Sequence, residues 1–462
     1  MYKYFISIAA LIICASCTLG PDYERPQIFS VSEIKNELRL KENGKLPDNW
    51  YKNLQDDYLQ KLIEIGLRNN SDILTAETKL RQARLIAKVN RTDFLPLINL
   101  NGEYDYQKGS KKTEYSQDAD YYSAGFDASW ELDIWGKGRR QSEADEADIK
   151  ASIYNLENIK TVIAAEIASN YVHLQQSLEN LRITKKNAEL QKQIADIIKK
   201  EYLSGMGDAA DYNQSQYLLQ TTLAQIPQYE NSAETYRNAL STLTGLLPSQ
   251  IILPEKTNMP TTISADFLNN MRKLPIDVIR LRPDVAAAEQ KLKAQNALIG
   301  KAVAELYPDV SIGGTFGYSA QKERDLFSSA AKTYGYSPNI ILPLLDWDKL
   351  QNNVEIQKLQ KTVALNTYKQ SVLNAIGELK NAFSNCETSV RAYKNKLNAL
   401  HNMQKVNELM LKRYQSGLIK FSEVLSSQQD LLNAQEELIA ARTQTVLSLI
   451  AYYKASGATI DN

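Results

Sequence analysis

Two histidines, three cysteines and six methionines are the only imidazole or sulfur side chains in the 462 residues that could hold a soft metal or move a proton near neutral pH. His173 and His401 each stand alone in a helical, polar-rich stretch, and read as helix-surface or hydrogen-bonded residues rather than ligands. The scarcity of His and Met speaks against copper or silver handling. There is no P-loop to cradle a phosphate, no G-x-G-x-x-G after a strand, no G-x-S-x-G and no H-E-x-x-H. Lys and Arg number 54 against 54 Asp and Glu, so nothing in the charge balance suggests nucleic acid or an acidic substrate. The expectation is a protein that is not an enzyme, with no catalytic residues, no metal and no diffusible cofactor.

Covalent chemistry is indicated at one place. "MYKYFISIAALIICASC" (1–17) has Lys3, an apolar run to Ile13 and small residues before Cys17. That is the pattern of a signal peptide over residues 1–16, too short to span a bilayer. "CASC" (14–17) resembles a bacterial lipobox, whose last cysteine is acylated and becomes the first residue of the mature chain. Cys14 occupies the place where leucine is usual, and bulky Ile13 before it makes it the poorer candidate for the cut. An ordinary signal peptide with an incidental cysteine is the alternative. With Cys17 lipidated, Cys386 is the one thiol left and no disulfide framework is implied. A lipid anchor alone holds weakly, so lasting attachment to a membrane needs a second element.

Four segments could supply it. In "INLNGEYDYQ" (98–107), Ile98, Leu100, Gly102, Tyr104 and Tyr106 alternate with polar residues. "YSAGFDASWELDI" (122–134) alternates through Phe126, Trp130 and Leu132, and "SIGGTFGYS" (311–319) through Ile312, Phe316 and Tyr318. "YSPNIILPLL" (336–345) alternates less cleanly, and Pro338 and Pro343 disfavour an interior strand. Period two gives each strand one apolar and one polar face. Strands of about ten residues suit a tilted crossing of a bilayer. Polar loops, 108–120 and 321–335, join each pair. A soluble half-buried sheet would alternate in the same way; the N-terminal address favours a membrane. Open sheet edges cannot face lipid, and about eight strands is the smallest closed barrel. Membrane-spanning strands would therefore require several chains to share one barrel.

The rest of the chain is helical and written twice. "YLSG" (202–205) and "YQSG" (414–417) lie 212 positions apart, and the same offset takes Glu77 to Glu289, Pro96 to Pro308, Gly102 to Gly314, Glu166 to Glu378 and Gly245 to Gly457. One stretch slips by a residue, where "ELDIWGK" (131–137) faces "PLLDWDK" (343–349). Fixed-offset similarity marks a duplicated structural unit. No proline interrupts 136–202 or 346–414, and each stretch as unbroken helix would reach roughly 100 Å. Shorter helices are expected at 71–94, 208–244, 284–306 and 420–456, with Pro227 either kinking its helix or opening a new one. Leu425, Leu432, Ile439 and Val446 recur every seventh residue as a coiled-coil-like seam. Gly205 and Gly417 sit where the chain must reverse, a C′ glycine position.

Together these features resemble the outer membrane factor family, the TolC-like channels of tripartite efflux pumps, and most closely its lipoprotein branch found with resistance-nodulation-division transporters. The resemblance is carried by "CTLGPDYERP" (17–26), "LRPDVAAAEQKLKAQNALIGKAVAELYPDVSIGG" (281–314), "ELDIWGKGRRQ" (131–141) and "RYQSGLIKFSEVLSSQQDLLNAQ" (413–435). It implies a mainly α fold with a membrane β-barrel: a homotrimer whose chains each give four strands to a shared twelve-stranded barrel and their helices to a periplasmic tunnel. The divisions it implies are a signal peptide (1–16), a lipidated N-terminal and equatorial segment (17–70), a first repeat (71–246), a connection (247–281), a second repeat (282–458) and a tail (459–462).

The function so implied is a passive, gated outer-membrane exit duct for drugs or small molecules. Its partners would be a periplasmic membrane-fusion adaptor, an inner-membrane transporter and outer-membrane lipid, with no nucleic acid. Protein secretion, metal export and a non-conducting surface lipoprotein are the alternatives. Tyr202, Ser204, Gly205, Tyr414, Ser416 and Gly417 would form the periplasmic tips that dock the adaptor. Some relatives place an apolar residue and an aspartate one turn apart beyond the second tip; the matching positions here are Ser422 and Ser426, with Glu423 and Asp211 nearby. These four are the candidate gate, and Cys17 is the lipidation site.

Overall fold

The computed structural model describes residues 18–41, 44, 46, 49–110, 112, 119–253, 262–275 and 277–460. The signal-peptide segment and Cys17 lie outside them. In chain order the elements are α1 (Val31–Leu38), a 3-10 turn (Trp50–Leu54), α2 (Asp57–Asn69), α3 (Ser71–Thr92), β1 (Leu97–Gln107), β2 (Ala119–Glu131), α4 (Lys137–Leu203), α5 (Ala209–Thr244), α6 (Ala265–Asn270) and α7 (Val278–Leu281). There follow α8 (Pro283–Ala304), β3 (Asp309–Ala320), β4 (Lys332–Ile341), α9 (Trp347–Gln415) and α10 (Phe421–Ala455).

The duplication is kept in the element bounds. An offset of 212 takes α3 onto α8 at both ends, and takes the end of α4 and the start of α5 onto those of α9 and α10. The left-handed glycines repeat too: Gly205 (φ 78°) with Gly417 (φ 70°), and Gly245 (φ 69°) with Gly457 (φ 72°). β1 pairs Leu97 with Ser129 and β3 pairs Asp309 with Ile341, so the strand register is also displaced by 212. The one-residue slip is confined to the connections after β2 and β4. Pro227 lies inside an unbroken α5, sacrificing one intrahelical donor without ending the helix.

The fourth strand is a correction. It occupies Lys332–Ile341 rather than 336–345. From Tyr334 the alternation is clean: Tyr334, Tyr336, Pro338 and Ile340 against Thr333, Gly335, Ser337 and Asn339. Pro343 falls beyond its end, and the polar loop before it stops at 331. The sheet is antiparallel in the order β1-β2-β3-β4, so Pro338 sits on an edge strand, where a missing donor is tolerated. β2 likewise begins and ends earlier than the alternation of 122–134 alone indicates.

Two compact units can be described separately. Among the described residues, the first holds 18–26, Thr78–Ile153 and Ala287–Gln370, and so contains the sheet. Its helices meet through small residues: Ala144 and Ala147 on α4 pack against Ala294 and Ala297 on α8. The second holds Gln27–Glu77, Tyr154–Ala286 and the chain from Ser371. There Trp50 is buried and stacks on Tyr453 at 5.5 Å, and the Tyr171 hydroxyl donates to Asp56 Oδ2 at 3.1 Å. Asp56 also accepts from the backbone N–H groups of Tyr58 and Leu59, capping α2. Arg282 is buried, donating to the Ala455 carbonyl at 3.0 Å and pairing with Asp284 and Glu378. The seam residues Leu425, Leu432 and Val446 are buried, and Ile439 is half-buried.

Cys386 is buried in this unit, and its thiol donates to the Ser448 carbonyl at 3.3 Å. Burial pushes the thiol up to about 11 from 9.0. The folded chain therefore keeps a proton that the unfolded chain has already lost. Stability from this group is full below pH 9 and falls as pH rises towards 11. Iodoacetamide at pH 8 is expected to leave Cys386 unmodified in the folded protein and to alkylate it in denaturant, read by peptide mass. Rapid labelling of the folded chain would contradict this burial.

Candidate functional site

The sheet sorts its side chains into two faces. Across the strands, Leu100 lies opposite Phe126, Phe126 opposite Phe316, and Phe316 opposite Tyr334. The neighbouring row is Ile98, Ala128, Gly314 and Tyr336. On the other face Asn99, Asp127, Thr315 and Gly335 line up, and Asn101 hydrogen-bonds Asp127. All four strands thus contribute to one continuous apolar face, although no strand is buried by the chain itself. Among the described residues, β1 and β4 each leave one edge without a partner strand in the sheet. No helix among the described residues is long and apolar enough to cross a membrane.

Next to the sheet, the residues that follow Cys17 are stitched down. Leu19 N–H donates to the Trp135 carbonyl at 3.1 Å. The buried Arg140 guanidinium gathers the carbonyls of Leu19 (2.9 Å) and Gly20 (3.1 Å), Asp22 (2.9 Å) and Glu143 (2.9 Å). Asn296 donates to the Pro21 carbonyl at 2.9 Å, and Tyr23 and Arg25 both reach Glu289. Gly20 has φ 87°, and a Cβ there would lie 2.3 Å from the Gly300 Cα. The Pro-Asp-Tyr segment is therefore a strap that seats the chain after Cys17 beside the end of β2. The "ELDIWGKGRR" motif supplies its receptor. Sequence reading marked both motifs without pairing them, because Arg140 and Asp22 are distant in the chain.

In the second unit the helix hairpins turn at the predicted places. At the first tip Ser204 Oγ donates to the Glu201 carbonyl (2.9 Å) and Gly205 N–H to the Tyr202 carbonyl (3.1 Å). At the second, Ser416 Oγ donates to the Lys412 carbonyl (3.0 Å) and Gly417 N–H to the Tyr414 carbonyl (2.8 Å). Met206 N–H to Glu201 and Leu418 N–H to Arg413 are the same bond in the two halves. Neither Gly205 nor Gly417 has any atom within 4 Å of a would-be Cβ, so these glycines serve the left-handed backbone alone.

The two tips differ in packing. Tyr202 is exposed and stacks on Tyr212 at 5.3 Å. Tyr414 lies against Phe421 at 5.1 Å and joins a cluster of Ile198, Leu218, Phe421, Val424 and Leu425 drawn from both hairpins. Burial raises the Tyr414 phenol pKa, and the carboxylates of Glu201 and Asp211 raise it further. Of the candidate gate residues, Asp211 and Ser422 are half-buried and Glu423 and Ser426 exposed. Farther up the helices, Tyr229 donates to Glu436 (2.8 Å) and Asn187 to Gln435 (3.1 Å), joining one hairpin to the other. Sequence reading missed Phe421, Tyr212 and these two bonds. A tyrosine at the same offset in each half signalled equivalence, but its aromatic partner lies ten residues on in one half and seven in the other.

His173 stacks on Tyr236 at 5.0 Å, and His401 is exposed. Among the described residues no group of three or more His, Cys, Asp or Glu could hold a metal.

Replacing Tyr414 with alanine is expected to destabilise the tips by about 1–3 kcal/mol, since a half-buried ring leaves a two-hairpin cluster. The Tyr202→Ala change should cost less than about 1 kcal/mol. Amide exchange over 194–225 and 406–430 checks this; equal losses of protection would contradict the asymmetry.

A sequence profile of the family described as "Outer membrane efflux protein" matches residues 62–246 and 274–458, two segments whose ends are displaced by 212. The probable outer membrane lipoprotein SilC of Salmonella typhimurium is 25% identical, with 97% of this chain and 95% of that protein covered. The toluene efflux pump outer membrane protein TtgF of Pseudomonas putida is 24% identical, with 100% and 98% covered. Among solved structures, the outer-membrane channel OprN superposes with a TM-score of 0.86 at 27% identity, covering 96% of this chain and 99% of that one.

Proposed function

Because the chain belongs to the outer membrane efflux protein family, and so is an outer-membrane channel component of an efflux system, we propose that it works as a homotrimeric, passive and gated exit duct for small molecules. The observation that carries the proposal is the two-faced sheet with its two open edges. An apolar face long enough to cross a bilayer demands lipid, yet edge N–H and C=O groups facing lipid would each cost several kcal/mol. Four strands per chain against about eight for the smallest closed barrel leave pairing with other copies as the way out. Three copies would make twelve strands, with the Asn99–Asp127–Thr315 face lining a wet pore.

The lipid anchor is proposed on Cys17. The strap over 18–25 holds the chain beside the end of β2, so an acyl group on the preceding cysteine would enter the membrane at the foot of the barrel. Lipid and barrel are then the two attachments that a stable anchor requires.

The tips would be the closed periplasmic mouth and the docking place for an adaptor coupled to an inner-membrane transporter. Opening requires the hairpins to part, which breaks the Tyr414 cluster and the Tyr229–Glu436 and Asn187–Gln435 bonds. The duct needs no catalytic residue, since energy enters through the transporter. Ser422 and Ser426, in place of an apolar residue and an aspartate, would hold a cation at the mouth less well than a ring of three aspartates.

Single-channel recording in a planar bilayer tests this. Wild type is expected to show small, mostly closed currents, Tyr414→Ala at least several-fold more open time, Tyr202→Ala a smaller gain and Tyr414→Phe none. A folded trimer that never conducts, even as Tyr414→Ala, would favour a structural surface lipoprotein instead.

A further inference from the structure

Where α3 ends and α4 begins, beside the helix end of β2, the sheet-containing unit holds an open cavity of about 420 Å³. Two contacts bring the helices together there. Asn90 donates to both carboxylate oxygens of Asp145, at 2.9 and 3.0 Å. The Phe94 ring lies so close to Gly138 that a Cβ there would come within 2.5 Å of it. The first contact sets the next residues in sequence, Arg91 and Glu146, at one level of the helix pair, and both line the cavity. Its volume falls in the range of small-ligand sites, roughly 300–1,000 Å³.

Some of the charges around this cavity are satisfied within the chain and some are not. Asp133 pairs with Arg139 at 3.3 Å and accepts from the backbone N–H groups of Gly138 and Arg139. Glu143 holds Arg140 at 2.9 Å. Among the described residues, the side chains of Arg91, Ser142 and Glu146 make no hydrogen bond or ion pair. One guanidinium, one hydroxyl and one carboxylate thus remain open on a common wall. Half-buried Phe94 and Leu95, 60% exposed, supply the apolar side. Trp130, on the apolar face of the sheet opposite Ile312, donates its indole N–H to the Phe94 carbonyl at 3.0 Å. Tryptophan in such a position marks the headgroup level of a bilayer. The cavity therefore opens at the helix-side border of the apolar band.

We propose that this cavity binds the headgroup of a zwitterionic phosphoethanolamine phospholipid from the periplasmic leaflet. The phosphate oxygens accept from the Arg91 guanidinium and the Ser142 hydroxyl, and the primary ammonium donates to Glu146. The glycerol and acyl chains then pass Leu95 and Phe94 towards Trp130 and the apolar face. Charge selects this headgroup. A lipid with net negative charge meets the open Glu146 carboxylate, and a quaternary choline nitrogen has no N–H to give it. Only a group that carries an anion and a hydrogen-bonding cation side by side satisfies both open residues. A headgroup held here sets the depth of the sheet in the bilayer, next to the strap that leads from Cys17. The proposal deepens the outer-membrane reading above and rests on it.

The test is native mass spectrometry of the purified full-length protein in detergent, with dioleoyl phosphatidylethanolamine, phosphatidylcholine and phosphatidylglycerol added in equal amounts. Wild type is expected to retain the ethanolamine lipid roughly fivefold or more over the choline lipid, as one charge-assisted hydrogen bond allows. Glu146→Ala should bring the ethanolamine lipid down to the choline level. Arg91→Ala should lower retention of all three, which share the phosphate. Both residues are exposed, so neither substitution opens a core. Equal retention of ethanolamine and choline lipids by wild type, preference for phosphatidylglycerol, or an ethanolamine preference that survives both substitutions overturns the site. The same spectra count the chains. Trimers with any of those overturning results leave the shared channel standing. Chains that fly only as monomers overturn the shared channel, and the lipid comparison made on them still decides the headgroup site.

Discussion

Backbone N–H and C=O groups at the edges of β1 and β4 govern the rest of this molecule. In water an open edge is tolerated; in hydrocarbon it is not, because nothing there can replace the missing hydrogen bonds. The chain nevertheless presents a continuous apolar face through Leu100, Phe126, Phe316 and Tyr334. Those two facts together force association, and association forces symmetry.

Duplication supplies two matched halves, and divergence then assigns each half its task. Asn70 and Arg282 stand at equivalent positions before α3 and α8. Asn70 donates to the Leu243 carbonyl at 2.9 Å and Arg282 to the Ala455 carbonyl at 3.0 Å, the same bond at the same offset. The arginine also reaches Asp284 and Glu378. The tips diverge in a comparable way. Their backbone turns are alike down to single hydrogen bonds, while Tyr414 is drawn into a shared cluster and Tyr202 is left outside it.

The strap after Cys17 gives the N-terminal motif a physical meaning. Its glycine is needed because any Cβ would collide with the Gly300 backbone. Its carbonyls and Asp22 satisfy an arginine that would otherwise be a costly buried charge. The consequence is geometric: the chain emerging from Cys17 is led to the end of the sheet where the helices begin.

Much of the architecture was legible before any coordinates. Helix bounds followed from proline-free stretches, from Gly205 and Gly417 and from the 212 offset, because these are local properties of the backbone. Three strands followed from strict alternation. The fourth, expected at 336–345, lies at Lys332–Ile341, since Pro338 and Pro343 blur its alternation and the pairing with β3 that sets its limits is not local. The partners of Arg140, Tyr414 and Tyr229 were beyond reach for the same reason. By itself the sequence determined where the long repeated helices run and roughly where three of the strands lie, that the chain is two copies of one design, and that four amphipathic strands cannot stand alone in lipid. Only the tertiary structure decided which buried arginine holds the N-terminal strap, which of two matched tyrosines packs into the cluster between the hairpins, and which helix faces remain uncovered. Those outcomes depend on packing between segments far apart in the chain, where spacing and composition carry no record of distance.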